Sequence, residues 1–432
     1  AEWPEADYVV GNPPFIGAKR MRSALGDGYV QALRDTYKDS VPSSADFVMY
    51  WWHMAAELVS RGHLNRFGLI TTNSIKQVFN YRLVEKHLEN TQNPVSILFA
   101  VSDHPWVDSS DGAAVRISMT VVSSEARSGE LLTITSEAGS DEETRKLEFS
   151  RRQGKVFANL SVGADVLSSA SLQACQGLCS VGIMVHGADL IIDEDRAEKL
   201  GLSESRDLQR FVRPYVNGRD LAQSPRGLFV IDFYGLQPEE IKSRFPAAYQ
   251  WILERVKPAR DQKKDKSSRD KWWLPARPRP EWRTITRDLD KFIASTRVSK
   301  HRVFGFLGAQ YLPDDKVVGI GTRSSIVLGA LSSRMHALWA LRTGAFLGAG
   351  NDACYNYSSC FETFPFPEPD EDTANRIASL TEQLDTHRKR QQEQHPGLTM
   401  TGMYNVLEKL RREESLTDKE KQIHEQGLVS VL

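Results

Sequence analysis

The chain is poor in cysteine, has no long apolar run and carries little net charge. Four cysteines among 432 residues are too few to hold a fold of this size together through disulfides, so reduced thiols are expected. No segment reaches the roughly 20 consecutive apolar residues that a membrane-spanning helix requires, and the first residues lack the plan of a secretory signal. We therefore expect a cytoplasmic protein with no membrane partner.

The charge balance excludes a general attraction for nucleic acid, and the cysteine spacing gives no zinc site. The formal net charge is −1, so the chain has no general attraction for nucleic acid, and only a local basic patch can supply one. Cys175 and Cys179 lie four positions apart, but no cluster of histidine or cysteine joins them at a zinc-ligand spacing. No bound metal is predicted.

The first 125 residues alternate between strand-like and helix-like segments. Residues 6–11 form a short apolar run that ends in glycine, and residues 45–61 carry apolar side chains at helical spacing before Gly62. This alternation predicts an α/β fold with a mostly parallel sheet, in which the last two strands, with no helix between them, are free to pair antiparallel. The expected segments are strands at 6–11, 67–72, 95–101 and 113–124 and helices at 45–61 and 82–90.

The remainder of the chain changes character twice. Residues 126–155 are polar and charged, which is typical of a solvated hairpin and linker. Residues 156–366 give short strand-like runs and few helices, which predicts a mixed α+β domain. The sequence Phe-Pro-Phe-Pro at 364–367 interrupts regular structure, so residues 367–432 are expected to form a separate helical tail. The segments expected are strands at 227–233 and 301–312 and helices at 324–342, 373–393 and 402–413.

The sharpest motif is Asn12-Pro13-Pro14-Phe15, which comes directly after the first strand. It is expected at the carboxyl end of that strand, where open α/β sheets bind ligands. The prolines fix the backbone and remove two N–H donors, the asparagine adds an acceptor, and the phenylalanine offers a flat face. An exocyclic amine can give one hydrogen to the Asn12 oxygen and the other to the Pro13 carbonyl, which leaves its lone pair to attack an electrophilic methyl group. The alternative is a proline-rich turn without chemistry.

The run 7–15, Asp-Tyr-Val-Val-Gly-Asn-Pro-Pro-Phe, resembles motif IV of the amino-methyltransferases of the gamma arrangement. The chain beyond residue 15 resembles the large fused type II restriction–modification and phage-defence methyltransferases, in which one polypeptide carries methylation and target recognition. The segments that carry this resemblance are 44–62, 67–75, 213–221, 257–281, 328–340 and 355–367, together with the helical end.

The resemblance implies a DNA adenine-N6 methyltransferase that uses S-adenosylmethionine and acts on double-stranded DNA. Residues 1–125 would be the part of a Rossmann-like catalytic domain from motif IV onward, and residues 156–366 a target-recognition domain. The catalytic set Asn12, Pro13, Pro14 and Phe15 would then hold an adenine flipped out of the duplex.

One departure from the family limits this hypothesis. In the family, an acidic residue and a glycine-rich turn upstream of motif IV hold S-adenosylmethionine, and this sequence has neither before Asn12. We therefore expect the chain alone to be inactive, with the other half supplied by preceding polypeptide or by another subunit, and the strand at 6–11 to expose an apolar edge. The sequence Phe-Leu-Gly-Ala-Gly at 346–350 is either a cofactor loop or, as the helix-like run before it favours, a turn of the recognition domain. The cofactor-binding residues stay unassigned.

A basic segment at 257–287 contains Trp272, Trp273 and Trp282. Cations for phosphates interleaved with aromatic side chains are typical of a DNA-contacting surface, although a solvated loop with buried tryptophans has the same composition. The resemblance favours DNA contact. The candidate DNA-binding residues are Arg213, Arg219, Lys257, Arg260, Arg269, Lys271, Arg277 and Arg279.

Three functions remain open at this point. The first is sequence-specific adenine-N6 methylation in a restriction–modification or phage-defence system. The second is a DNA-binding specificity module without catalytic activity. The third is methylation of a protein glutamine or an RNA base, which the long basic, tryptophan-containing region disfavours. The sequence does not specify the DNA site that would be recognised.

Overall fold

The computed structural model describes residues 3–107, 114–125, 127–138, 146–166, 169–347 and 352–432. The described residues up to 166 form one compact unit, and those from 169 onward form a second. Within these ranges, no helix is both long and apolar enough to cross a membrane.

The first unit is a six-stranded sheet with helices. Its strands lie in the order β1-β2-β4-β3-β5-β6. β1 pairs parallel with β2 and β3 parallel with β5, whereas β4 runs antiparallel to both of its neighbours and β6 runs antiparallel to β5. The elements are β1 (Tyr8–Gly11), α1 (Met21–Leu25), α2 (Asp27–Thr36), α3 (Val48–Ser60), β2 (Arg66–Thr72), α4 (Val78–Leu88), β3 (Ser96–Val107), β4 (Ala114–Ser123), β5 (Gly129–Ala138) and β6 (Lys146–Gly154).

Helix α3 forms the centre of the first core. Its apolar residues recur at helical spacing, and the chain leaves the helix at Gly62, whose positive φ of 74° suits glycine. Trp52 is fully buried, and its ring centroid lies 5.4 Å from that of Phe67 on β2. The indole N–H of Trp52 donates to the Thr120 hydroxyl on β4 at 3.3 Å, so the helix is fixed against two strands of the sheet.

The structure confirms the predicted strands and helices of this unit and the antiparallel pairing of β3 with β4. Two predictions were wrong. The sheet is mixed rather than mostly parallel, because β4 and β6 each return without a crossover helix. Residues 126–155 contain the predicted hairpin, since β5 pairs antiparallel with β6, but this hairpin extends the sheet and is not a linker between domains. Its polar sequence reflects exposure of most β6 side chains at the edge of the sheet.

The second unit contains two four-stranded sheets, β13-β9-β10-β8 and β12-β11-β14-β7, and a two-stranded ribbon, β15-β16. Its strands are β7 (Cys179–Val181), β8 (Ile191–Ile192), β9 (Val212–Val216), β10 (Phe229–Ile231), β11 (Lys291–Thr296), β12 (Phe304–Gly308), β13 (Leu312–Pro313), β14 (Val317–Ile320), β15 (Ala345–Leu347) and β16 (Asp352–Cys354).

The helices of the second unit precede, separate and follow these strands. They are α5 (Glu194–Lys199), α6 (Gly218–Ala222), α7 (Pro238–Arg244), α8 (Pro246–Arg255), α9 (Lys257–Asp261), α10 (Lys266–Asp270), α11 (Pro280–Thr286), α12 (Ser325–Ser332), α13 (Arg334–Thr343), α14 (Tyr357–Cys360), α15 (Glu371–Gln394), α16 (Met400–Arg411) and α17 (Asp418–Gly427).

The helical end of the chain packs into the second unit rather than standing apart as a tail. Buried Arg388 on α15 donates to the Phe304 carbonyl on β12 at 2.9 Å. Asp385, one turn earlier, accepts from the Phe306 backbone N–H at 3.2 Å. The predicted separate tail is therefore wrong, because charged side chains of α15 supply buried polar contacts to the neighbouring sheet.

Candidate active site and nucleic-acid interface

The Asn-Pro-Pro-Phe tetrapeptide (residues 12–15, the NPPF loop) follows β1 at the carboxyl edge of the sheet. Because β1 and β2 are parallel, with Gly11 opposite Leu69, the segments that follow both strands leave the sheet at the same edge. Asn12 is exposed, Pro13 is buried and Phe15 is half-buried. This is the placement that the sequence predicted for a ligand-binding loop.

The NPPF loop keeps two acceptors available. The Ile16 backbone N–H turns back to the Pro14 carbonyl at 3.2 Å, so that carbonyl is occupied. Among the described residues, none donates a hydrogen bond to the Asn12 side chain or to the Pro13 carbonyl. A side-chain oxygen and a neighbouring backbone oxygen are therefore free to bind a group with two N–H bonds.

The segment after the loop is fastened to the start of α3. The Phe47 N–H donates to the Ile16 carbonyl at 2.8 Å, and the Ala18 N–H donates to Asp46 Oδ1 at 3.0 Å. The other oxygen of Asp46 accepts from Ser74 Oγ at 2.5 Å and from Asn80 Nδ2 at 3.0 Å. These partners are far apart along the chain, so no local pattern in the sequence predicted them.

A polar turn follows β2 beside the NPPF loop and comprises Asn73–Lys76. Asn73 Nδ2 donates to Asp103 Oδ1 at 2.7 Å, and Arg116 Nε donates to the same carboxylate at 2.7 Å. Asp103 lies at an irregularity of β3 with φ of 63°. Lys76 Nζ donates to Ser102 Oγ at 3.1 Å, and burial lowers the pKa of that lysine. Polar residues directly after a buried strand were the available sequence signal for this turn.

The described part of the Phe-Leu-Gly-Ala-Gly segment does not have the geometry of an S-adenosylmethionine loop. The candidate cofactor loop at 346–350 lies partly outside the described residues, since residues 348–350 are not described. Its first part belongs to β15, which follows α13 and pairs antiparallel with β16 in an isolated ribbon. A glycine-rich cofactor turn instead joins a sheet strand to the start of a helix.

Among the described residues, one group brings metal-ligand side chains together: His53, Glu57 and His87. His53 Nδ1 lies 2.8 Å from His87 Nε2, whereas Glu57 Oε1 lies 3.9 Å from the opposite nitrogen, His87 Nδ1. Glu57 also binds Arg61 at 2.6 Å. The hydrogen bond in this group joins His53 to His87 and so links α3 to α4, while Glu57 approaches the other nitrogen of His87 without a hydrogen bond.

The buried histidines predict an acid-sensitive fold. Burial lowers the pKa of His87 in the first unit and of His336 in the second to about 4. The unfolded chain therefore binds more protons between pH 4 and 6.5, so stability is full above pH 6.5 and falls as the pH drops towards 4. Urea unfolding at pH 5 should show each unit destabilised by up to about 2 kcal/mol relative to pH 7.5. The control variant His63→Gln, at an exposed histidine, should show the same pH dependence. A wild-type protein that is equally stable at pH 5 and pH 7.5 would contradict the prediction.

Two of the eight predicted DNA-binding residues hold the protein's own backbone. Arg213 donates to the carbonyls of Ala309, Gln310 and Tyr311, at 2.6 Å for the shortest contact. Arg260 is buried and donates to the Leu274 carbonyl at 3.3 Å. Burial lowers the pKa of both guanidinium groups. The structure therefore places Arg260 in the interior, and it holds the half-buried Arg213 against the backbone of residues 309–311.

Three more of the eight are engaged by neighbours. Lys257 pairs with Asp261 at 2.6 Å, and Arg279 pairs with Glu281 at 3.3 Å. Arg269 donates to the carbonyl of Lys263 at 2.5 Å and to that of Lys264 at 2.9 Å, and so shapes the connection between α9 and α10.

The remaining three, Arg219, Lys271 and Arg277, are exposed. The same basic segment also exposes Lys263, Lys264 and Lys266, which are not among the eight predicted residues; we call these three residues the α9–α10 lysines. Within the described part of the chain, none of the α9–α10 lysines forms an ion pair. Exposed cations without acidic partners are the groups that can neutralise phosphates.

Family models match both units. The model of the MmeI DNA-methyltransferase domain matches residues 2–133, and that of the MmeI target recognition domain matches residues 168–368. Both domains of the chain belong to the MmeI family. The match of the second domain begins where the second compact unit begins.

Individual relatives are more distant. DNA methyltransferase A of Bacillus subtilis (strain 168) is 22% identical over 412 residues, which cover 94% of this chain and 43% of the relative. The type IIL restriction-modification enzyme MmeI, solved in complex with DNA, superposes with a TM-score of 0.71 at 16% identity, covering 98% of this chain and 53% of that one. The chain thus spans about half the length of these relatives, and the superposition shows a shared fold.

The tryptophans of the basic segment belong to the core of the target recognition domain. Trp272, Trp273 and Trp282 are all buried. The ring of Trp282 lies 4.9 Å from that of Phe292 and closes over Gly319, where a Cβ atom would come within 2.1 Å of the indole. For these three side chains, the structure therefore confirms the alternative in which the tryptophans are buried.

Replacement of Trp282 by alanine should destabilise this domain by about 3–5 kcal/mol, because the substitution empties a buried site on the sheet. Urea unfolding of the variant measures the loss. A variant that unfolds like the wild type but binds DNA more weakly would instead place this ring on the DNA.

Proposed function

We propose that this chain contributes the NPPF loop and the target recognition domain to an S-adenosylmethionine-dependent DNA adenine-N6 methyltransferase of a restriction–modification or phage-defence system. The observation that carries the proposal is the free acceptor pair, Asn12 and the Pro13 carbonyl, at the carboxyl edge of a sheet whose domain belongs to the MmeI family. The target recognition domain supports double-stranded DNA as the substrate.

The chemistry of the loop depends on its acceptors. Adenine carries one exocyclic amine with two hydrogens, and its lone pair is delocalised into the ring. Asn12 Oδ1 and the Pro13 carbonyl would each accept one hydrogen, which draws the amine towards a tetrahedral geometry and localises the lone pair on nitrogen. Phe15 would support the base by stacking after it leaves the duplex. We assign no described residue to the methyl donor's site and no step to the donor.

We further propose that the sheet is a partial Rossmann-like sheet that other strands complete at β1. Along β1 the side chains of Tyr8 and Val10 are 64% and 87% exposed. β1 pairs with β2 and is the last strand of the described sheet, so its other edge can accept a further strand. The completing strands would come from polypeptide preceding these residues or from another subunit.

A specificity module without activity is the second candidate. The exposed, unpaired α9–α10 lysines favour DNA binding whether or not methylation occurs. Calorimetric titration of the chain with S-adenosylmethionine, followed by a label-transfer assay on duplex DNA, separates the two functions. If the chain lacks the donor's site, as we expect, neither heat of binding nor label transfer appears. The methyltransferase proposal then predicts that the complete gene product binds S-adenosylmethionine and transfers label to DNA. If the complete gene product does neither, the specificity module is the function that remains.

A further inference from the structure

Asp46 precedes α3 and joins three segments that are distant in sequence. Its half-buried carboxylate accepts from the Ala18 N–H at 3.0 Å, from Ser74 Oγ at 2.5 Å and from Asn80 Nδ2 at 3.0 Å. Its backbone N–H returns a hydrogen bond to Asn80 Oδ1 at 3.0 Å. A carboxylate that accepts only is well suited to this place, because all three neighbouring groups donate.

These contacts link the two loops at the carboxyl edge of the sheet. Ala18 lies three residues beyond Phe15, and the Phe47 N–H holds the intervening Ile16 carbonyl at 2.8 Å. Ser74 belongs to the turn that follows β2. One carboxylate therefore sets the distance between the NPPF loop and the neighbouring turn.

The turn is also fixed on its other side. Asn73, the neighbour of Ser74, donates to Asp103 at 2.7 Å, and Asp103 is held by Arg116 at 2.7 Å. Asp103 has a φ of 63°, a conformation that costs a non-glycine residue energy and persists where its surroundings impose it. With the turn anchored to β3 and β4, Asp46 transmits that fixed position to the NPPF loop.

We propose that Asp46 is a positioning residue that holds the NPPF loop in register with the turn after β2, so that Asn12 and the Pro13 carbonyl meet the target amine. This inference rests on the proposed function. Misplacement of reacting groups by about 1 Å can cost roughly 10²-fold in rate. Loss of Asp46 should therefore lower turnover while DNA affinity, which depends on phosphate and base contacts elsewhere, changes little.

Hydrogen exchange on the chain tests the contacts of the Asp46 carboxylate without reference to activity. In Asp46→Asn, the side-chain NH2 group places a donor against the donors of Ser74 or Asn80. Because the side chain can no longer accept from all three neighbours, the Ala18 N–H should exchange roughly tenfold faster or more. Peptides covering 12–20 and 72–80 should show this change, while those of β4 do not. Asp39→Asn, an acid-to-amide change at an exposed position of the same unit, is the matched control. Unchanged exchange in the NPPF segment of Asp46→Asn would overturn the proposal.

Kinetics of the complete gene product separate positioning from general destabilisation. Asp46→Asn should lower kcat by roughly 10²-fold with KM for DNA within about threefold. Ser74→Ala, which removes one of the three donors and leaves the Ala18 contact, should cause a smaller loss of the same kind. A rise in KM at unchanged kcat would contradict the positioning role. If Asp46→Asn exchanges faster at Ala18 but the complete wild-type gene product methylates no DNA, the structural role of Asp46 stands and the proposed function is wrong.

Discussion

Replacing Asn12 with alanine should lower DNA methylation by roughly 10²–10³-fold or more in the complete gene product. The side chain is exposed, and no described residue donates to it, so it has no structural role there to lose. It would supply one of the two acceptors that orient the amine and strengthen as charge develops on nitrogen. Affinity for duplex DNA should stay within about twofold, because one uncharged side chain neutralises no phosphate.

The matched control is Asn375→Ala, at an exposed asparagine on α15. That variant should methylate at the wild-type rate and unfold at nearly the same urea concentration. Single-turnover label transfer measures the chemical step, and a salt-dependent binding titration measures DNA affinity. Substantial methylation by Asn12→Ala would remove the NPPF loop from the mechanism.

The second large effect concerns salt. DNA binding by this chain should weaken about 10³- to 10⁵-fold between 50 and 200 mM salt if six to ten phosphates are neutralised. Changing the three α9–α10 lysines to glutamine should weaken binding uniformly across sequences. The log–log salt slope should become shallower by up to about 3, roughly one unit for each phosphate that is no longer neutralised. The net charge of the whole chain, −1, does not itself predict a strong dependence of DNA affinity on salt. A steep salt slope must therefore come from a local basic surface.

A control with the same loss of charge distinguishes a site from a general effect. Lys199, Lys242 and Lys419 are exposed lysines elsewhere in the second unit, and their glutamine variant should bind nearly as the wild type does. Arg277→Ala adds a test of readout: a loss of about 1–3 kcal/mol confined to one sequence indicates base contact, and a uniform loss indicates phosphate. Equal weakening in both lysine variants would argue against an interface at α9–α10.

Features carried by adjacent residues could be predicted from the sequence. The NPPF loop follows its strand directly, so a local pattern was enough to place Asn12 and Phe15 at the edge of the sheet. Helix α3 and strand β2 were equally clear, because apolar side chains recur at the spacing of a helix or fill a buried strand.

Contacts between distant residues could not be predicted. Asp46 meets Ala18, Ser74 and Asn80 through the tertiary fold, and none of these residues stands out in its local sequence. The place of the 126–155 hairpin in the sheet was missed for a different reason: most side chains of β6 are exposed, so the strand lacks the apolar alternation of a half-buried strand.

Charge alone also misled at the predicted interface. Arg213 and Arg260 are cations of the kind that bind DNA, but in the structure both donate to backbone carbonyls, Arg213 from a half-buried position and Arg260 from a buried one. Sequence does not distinguish these two uses of a guanidinium group. The tryptophans beside them posed the same ambiguity, and their burial decided it in favour of packing.

The most direct test of the central claim is sequencing that detects N6-methyladenine, applied to DNA from a host that lacks adenine methylation and expresses the gene encoding these residues. We predict N6-methyladenine at a defined sequence, and its loss in the Asn12→Ala variant at equal protein level. DNA without methylated adenine in the wild-type strain, or methylated adenine that persists undiminished in the variant, would contradict the account.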